Sequence, residues 1–121
     1  MQEDCLFCKI VAGQIPSKLV YQDNDVYAFE DINPQAPQHI LIIPRQHIAA
    51  SMHDLKPEQA PLLMSIFQAA QKIAIERGID KTGYRLVTNT GPDSGQAVFH
   101  LHFHLLGGAR LGLFGVPHKR T

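Results

Sequence analysis

The stretch His100-Leu101-His102-Phe103-His104-Leu105-Leu106 governs how the rest of this 121-residue chain is read. Along a β-strand, side chains alternate between two faces. His100, His102 and His104 therefore share one side, roughly 6.5 to 7 Å apart along the strand, and Leu101, Phe103 and Leu105 share the other. One face satisfies a core while the opposite face displays three imidazoles, which folding alone does not require. Imidazole titrates near neutrality, so one residue type can serve as nucleophile, acid or hydrogen-bond donor. Such a display allows the two flanking rings to be donors while the middle one attacks. The second nitrogen of His102 needs a carbonyl or carboxylate acceptor to fix its tautomer, and no residue in the pattern identifies that acceptor. Three metal ligands, or a solvated face, are the competing readings of the same pattern.

Working outward, Asn89, Gly91, Gly95 and Gln96 form a turn just before the histidines, with backbone amides free to approach an anion. Val98 to Leu106 reads as one strand and Tyr84 to Asn89 as another. Pro57 to Arg77 reads as the long helix, with Pro57 in its first turn and Gly78 as its stop. Ala60, Leu63, Phe67, Ala70 and Ala74 recur on one face of it. A second line, Leu62, Ile66, Ala69 and Ile73, widens that face, as either a core or a partner subunit would require. His39-Ile40-Leu41-Ile42-Ile43 is a continuous apolar run between prolines, the mark of a buried central strand. Upstream lie a proline-pinned loop from Asp31 to Pro37 and a hairpin of Val20-Tyr21 and Val26 to Phe29 around Asp23-Asn24-Asp25. A short helix is expected from Cys5 to Gly13, beyond which Pro16 bars continuation.

This length suits a single domain over residues 1–121. Acidic and basic side chains balance at 11 each, and no basic run marks a nucleic-acid footprint. No apolar segment is long enough to span a membrane, and the acidic start lacks the form of a secretory signal, so the expected location is the cytoplasm. The two cysteines, Cys5 and Cys8, have the Cys-x-x-Cys spacing of half a tetrahedral zinc site. Two reduced thiols packed at a helix start give the same spacing. A thioredoxin-like pair would need a preceding strand and a following helix that are not evident.

The histidine strand resembles the signature of the histidine triad family: histidine, apolar, histidine, apolar, histidine, then two apolar residues. The resemblance covers nearly the whole chain through Phe7-Cys8-Lys9-Ile10, Ile15-Pro16, Phe29-Glu30-Asp31-Ile32, Pro34-Gln35-Ala36-Pro37-Gln38-His39, Ile43-Pro44-Arg45-Gln46-His47, Gly95-Gln96 and Leu106-Gly107-Gly108. It is strongest toward the purine nucleoside phosphoramidate hydrolases, in their bacterial form.

That resemblance implies an α+β fold, a five-stranded antiparallel sheet with one long and one short helix, pairing into a homodimer with a continuous sheet. It implies that His102 attacks the α-phosphorus of a nucleoside monophosphate joined to an amine, forming a nucleotidyl-histidine that water resolves. His104 would contact phosphoryl oxygens, and His39 and His100 would support the nucleophile and proton traffic. Phe7, Ile10, Ile15, Phe29 and Ile32 would surround a purine, Asp31 would hold the ribose hydroxyls, and Asn89, Gly95, Gln96 and Val98 would line the phosphate side. In several relatives a cysteine pair is completed by two histidines, here His47 and His100, around a structural zinc. A zinc-bound His100 could not also act as a base. Ala97 stands where animal members usually carry a serine linked to leaving-group protonation. No organic cofactor is implied. A nucleotidylyltransferase, a dinucleoside polyphosphate hydrolase and a noncatalytic nucleotide sensor or protein-interaction module remain the other readings. His53 and His118 fall in no matched motif and are expected to face solvent.

Overall fold

The strand carrying the apolar run becomes the centre of the sheet because its side chains are wanted on both faces. In the computed structural model, which describes residues 4–113 and 115–117, β1 (Leu19–Gln22), β2 (Val26–Glu30), β3 (Gln38–Pro44), β4 (Tyr84–Val87) and β5 (Phe103–Gly107) form one sheet in the order β1-β2-β3-β5-β4. All four pairings are antiparallel. Ile40 and Ile42 of β3 point to one face with Val26, Ala28, Phe103 and Leu105. There they meet Ile66, Ala69, Ala70, Ile73 and Ala74 of α2 (Ala60–Glu76). Leu41 and Ile43 point to the other face with Tyr27 and Phe29, under Phe7, Cys8 and Ile10 of α1 (Leu6–Val11). A strand buried on both sides loses the polar alternation of a half-buried one, which is why residues 39–43 read as a continuous apolar run.

Asp23 closes the first hairpin by accepting the N–H groups of Asp25 and Val26 at 2.8 and 2.9 Å. Cys5 caps α1, its sulfur accepting the Cys8 N–H. Helix α2 starts later than its periodicity predicts: Pro57–Gln59 forms a separate 3₁₀ turn, and Pro61 occupies the first turn of the α-helix. Of the two expected apolar lines, the one through Ile66, Ala69 and Ile73 is buried, and the other is buried only in its second half, at Ala70 and Ala74. Ala60 is exposed, and Phe67 keeps 41% of its surface accessible despite an edge contact with Phe103. Among the described residues no helix is long and apolar enough to cross a membrane.

The histidine segment departs from its expected extent. Ladder pairing begins at Phe103, not Val98, and β4 ends at Val87, before Asn89. Residues 100–102 lie outside the ladder although the β3 register, carried on, brings Ile43 and Pro44 opposite His102 and Leu101; Pro44, the last residue of β3, has no N–H to donate. Their backbone is satisfied otherwise: the Leu101 N–H donates to the Ala49 carbonyl at 2.9 Å, and Thr88 Oγ1 donates to the His102 carbonyl at 2.7 Å. The alternation survives without the ladder. Leu101 joins the α2-side core, while His100 and His102 lie against Phe7 on the α1 side.

Candidate active site

The three histidines on one face differ in what each ring meets: a main-chain carbonyl for His102 and for His100, and another imidazole for His104. His102 is buried, and its Nδ1 lies 2.7 Å from the His100 carbonyl oxygen. A carbonyl can only accept, so Nδ1 carries the proton and the lone pair is on Nε2. This carbonyl is the acceptor that the sequence left unidentified. Burial pulls the His102 pKa below its ordinary value, against the opposing pull of that hydrogen bond and of Asp31, so the ring is neutral at neutral pH. Phe7 stands edge-on to it at 5.0 Å.

His104, half-buried, lies with its Nδ1 2.9 Å from His39 Nε2. Burial pushes His104 down to about 4, with His102 and His39 beside it adding to the depression and Asp31 opposing it. His39, also lowered by burial against the pull of Asp31, stands behind His104 at the end of β3. Both rings are neutral when folded, whereas the unfolded chain protonates them near pH 6.5. The unfolded state then binds more protons below that pH, so this contribution to stability is complete above about pH 6.5 and declines toward pH 4. Urea midpoints are expected to fall over that window, and to fall less steeply in His104→Asn. An equal slope in the variant would remove His104 from this effect.

His104 and His102 open onto a cleft of about 450 Å³ between α1, the Asp31 loop and the turn at Gly95. All ten residues expected around a nucleotide line it: Phe7, Ile10, Ile15, Phe29, Asp31, Ile32, Asn89, Gly95, Gln96 and Val98. Asp31 is both turn cap and cleft residue: Oδ1 accepts the Asn33 N–H at 2.8 Å, and Oδ2 lies 3.4 Å from His39 Nε2. Gln96 lines the cleft with its side chain already committed, accepting from the Gly91 N–H and donating to the Ala50 and Val98 carbonyls. It holds the turn shut rather than offering its amide to a ligand. Gly91 and Gly95 have φ of 83° and 84°, the region glycine adopts without strain. Leu41, Asn33 and Ala97 also line the cleft. Strand alternation from Phe29, whose register partner is Leu41, could have found the first.

His100 is fully buried, and its ring is not among the groups lining this cleft. Its Nε2 donates to the Pro44 carbonyl at 2.9 Å, leaving the Nδ1 lone pair facing Cys5 Sγ at 3.3 Å and Cys8 Sγ at 3.6 Å. His47 Nδ1 lies 3.6 Å from Cys8 Sγ. The four ligand atoms all fall within 4.8 Å of one another. Tetrahedral zinc with ordinary bond lengths places sulfur and nitrogen ligands about 3.5 Å apart, so these separations fit. The His100–Pro44 bond is the outer contact that orients a ligating imidazole. Burial, opposed by the Cys8 main-chain N–H and reinforced by the Cys8 thiol, holds the Cys5 thiol above its ordinary pKa, a cost that a bound cation would remove by favouring thiolate. A ring so turned cannot take part in proton traffic at the cleft; His100 serves His102 through its carbonyl. His53 is exposed, as expected, and His118 lies outside the described residues.

Residues 12–111 match the HIT domain family model. The purine nucleoside phosphoramidase of Escherichia coli K12 is 49% identical over 112 residues, 93% of each chain. A HIT family hydrolase from Clostridium thermocellum superposes with a TM-score of 0.91 at 47% identity, covering 96% of this chain and all of the other. A histidine triad protein from Clostridium difficile gives 0.90 at 45%, covering 94% and 98%.

Proposed function

The chain belongs to the HIT domain family, and from that membership we propose that it is a hydrolase of purine nucleoside phosphoramidates, cleaving the phosphorus–nitrogen bond through a nucleotidyl-histidine on His102. The observation that carries this reading is the His102 tautomer: Nδ1–H is spent on the His100 carbonyl, and the Nε2 lone pair is free. Nε2 attacks the α-phosphorus, the phosphorus–nitrogen bond breaks, and the amine leaves with the bonding pair and a proton taken from solvent. Water then displaces His102 from phosphorus, giving the nucleoside monophosphate and restoring the neutral ring. Two displacements replace one difficult step. Ala97 lines the cleft and has no hydroxyl to relay the amine's proton, so solvent must supply it.

Charge supports an amine over a polyphosphate as leaving group. The described residues lining the cleft include two carboxylates, Glu30 and Asp31, and no lysine or arginine. His102 and His104 are neutral. A phosphoramidate brings one negative charge to such a site, whereas a polyphosphate brings several that find no counter-charge. Each uncompensated charge costs a few kcal/mol, about 100-fold in rate. An adenosine phosphoramidate with a fluorescent amine is therefore expected to exceed diadenosine tetraphosphate in kcat/KM by at least about 100-fold. Equal turnover of the polyphosphate would move the assignment to that hydrolase class.

The same reading makes residues 1–121 one domain and Cys5, Cys8, His47 and His100 the ligands of a structural zinc, which would supply a cross-link between α1 and the start of the catalytic strand. It also pairs two copies into a dimer with a continuous sheet. Among the described residues β1 and β4 are the sheet's outer strands.

A further inference from the structure

We infer that the main-chain N–H of Gln35 is a positioning group: through His39 it holds His104 as an Nε2–H donor directed into the nucleotide cleft. The kinetic consequence rests on the hydrolase reading above; the spectroscopic one does not.

A backbone N–H can only donate. That of Gln35, in the loop between Pro34 and Pro37, lies 2.9 Å from His39 Nδ1, which must therefore present a lone pair. An imidazolium at His39 would set one N–H against another, so the ring is neutral and its proton is on Nε2. Around Nε2 the structure places two acceptors, His104 Nδ1 at 2.9 Å and an Asp31 oxygen at 3.4 Å. His104 Nδ1 accepts, and since His104 is neutral too, its proton is on Nε2. That nitrogen has no hydrogen-bond partner among the described residues, and His104 lines the cleft. A chain of three fixed donors thus runs from a loop amide to the site where phosphoryl oxygens develop charge, the place where a preorganised donor stabilises a transition state most.

Two further consequences follow from the occupied Nδ1. His39 cannot relay protons, because a relay through imidazole needs one nitrogen to accept as the other releases, and Nδ1 already faces a donor. His39 is a static support rather than a shuttle. Asp31, His39 and His104 also lie close enough to resemble a two-histidine, one-carboxylate cation site. A cation on His39 Nε2 would force the proton onto Nδ1, against the Gln35 amide. The trio is a hydrogen-bond network.

Nitrogen-15 spectra of histidine-labelled protein at neutral pH read each tautomer. The native chain is expected to show Nε2–H at both His39 and His104. Gln35→Ala, which keeps the main-chain N–H, should match it in spectrum and in kcat. Gln35→Pro removes that N–H; it is expected to mix the His39 and His104 tautomers and lower kcat about 10- to 100-fold, at or below the loss of a whole oxyanion donor. KM should stay within about threefold, since Asp31 and the apolar walls are untouched. Native tautomers and native kcat in Gln35→Pro would overturn the inference, as would Nδ1–H at either histidine in the native chain. Should Gln35→Pro not fold, a through-bond nitrogen–nitrogen coupling between the Gln35 amide and His39 Nδ1 in the native protein decides the matter. Its presence supports the inference and its absence overturns it. A native chain with these tautomers but no phosphoramidate turnover would refute the hydrolase reading and leave the donor chain standing.

Discussion

His102→Ala is expected to lower phosphoramidate hydrolysis by at least about 10⁴-fold while AMP affinity stays within about threefold. Removing a covalent nucleophile leaves only binding and charge stabilisation, and losses of this size are typical when a nucleophile acts as one unit with its donors. Affinity should survive because Phe7, Ile10 and Phe29 are held by the α1-side core and the Asp31 carboxylate by its own loop, with only the edge contact of Phe7 to the His102 ring lost. His102→Asn should be equally inactive: an amide can occupy the space and keep a bond to the His100 carbonyl, but its nitrogen has no free lone pair to attack phosphorus. Steady-state kinetics with a fluorescent amine, beside calorimetric AMP binding, checks both. Undiminished turnover in either variant would remove His102 from the chemistry.

The second large effect is expected at Cys8. The purified chain should contain one zinc per copy, and Cys8→Ala should lose it and melt about 10 °C lower or more, a loss of about 3 kcal/mol or more. The size follows from position. Cys8 is 1% exposed and faces two histidines at 3.6 Å, one of which, His100, begins the catalytic segment. Without the cluster, α1 keeps only its apolar contacts with the sheet, and the carbonyl that orients His102 is less firmly placed. The variant should therefore lose kcat as well as stability. Metal analysis and thermal denaturation of both proteins provide the check; metal-free native protein with an unchanged melting temperature in Cys8→Ala would exclude the structural zinc.

Much of the site could be read from side-chain pattern, because pattern is what a strand preserves. Alternation placed Leu101, Phe103 and Leu105 in one core and turned three histidines to the other face, even though residues 100–102 lie outside the ladder. The apolar run at β3 announced a strand covered on both sides. What pattern could not show were main-chain partners. The carbonyls of His100 and Pro44 and the amide of Gln35 set the tautomers of His102, His100 and His39, and no residue type at those positions advertises it. Element ends depend on the same kind of partner: Val98 to Leu101 has the composition of a strand, but the β3 register, carried on, meets Pro44, which has no N–H to donate, opposite Leu101 and runs past the end of β3 before it. Nor does any residue type announce which way the His100 ring turns, toward Cys5 and Cys8 and away from the cleft.

The central claim is that phosphorus passes through His102, and the stereochemical outcome at phosphorus tests it most directly. An adenosine phosphorothioamidate of one configuration, hydrolysed in isotopically labelled water, gives a product whose configuration records the number of displacements. Two in-line steps through a nucleotidyl-histidine predict net retention. Inversion would mean that water attacks the substrate directly, and would contradict the account.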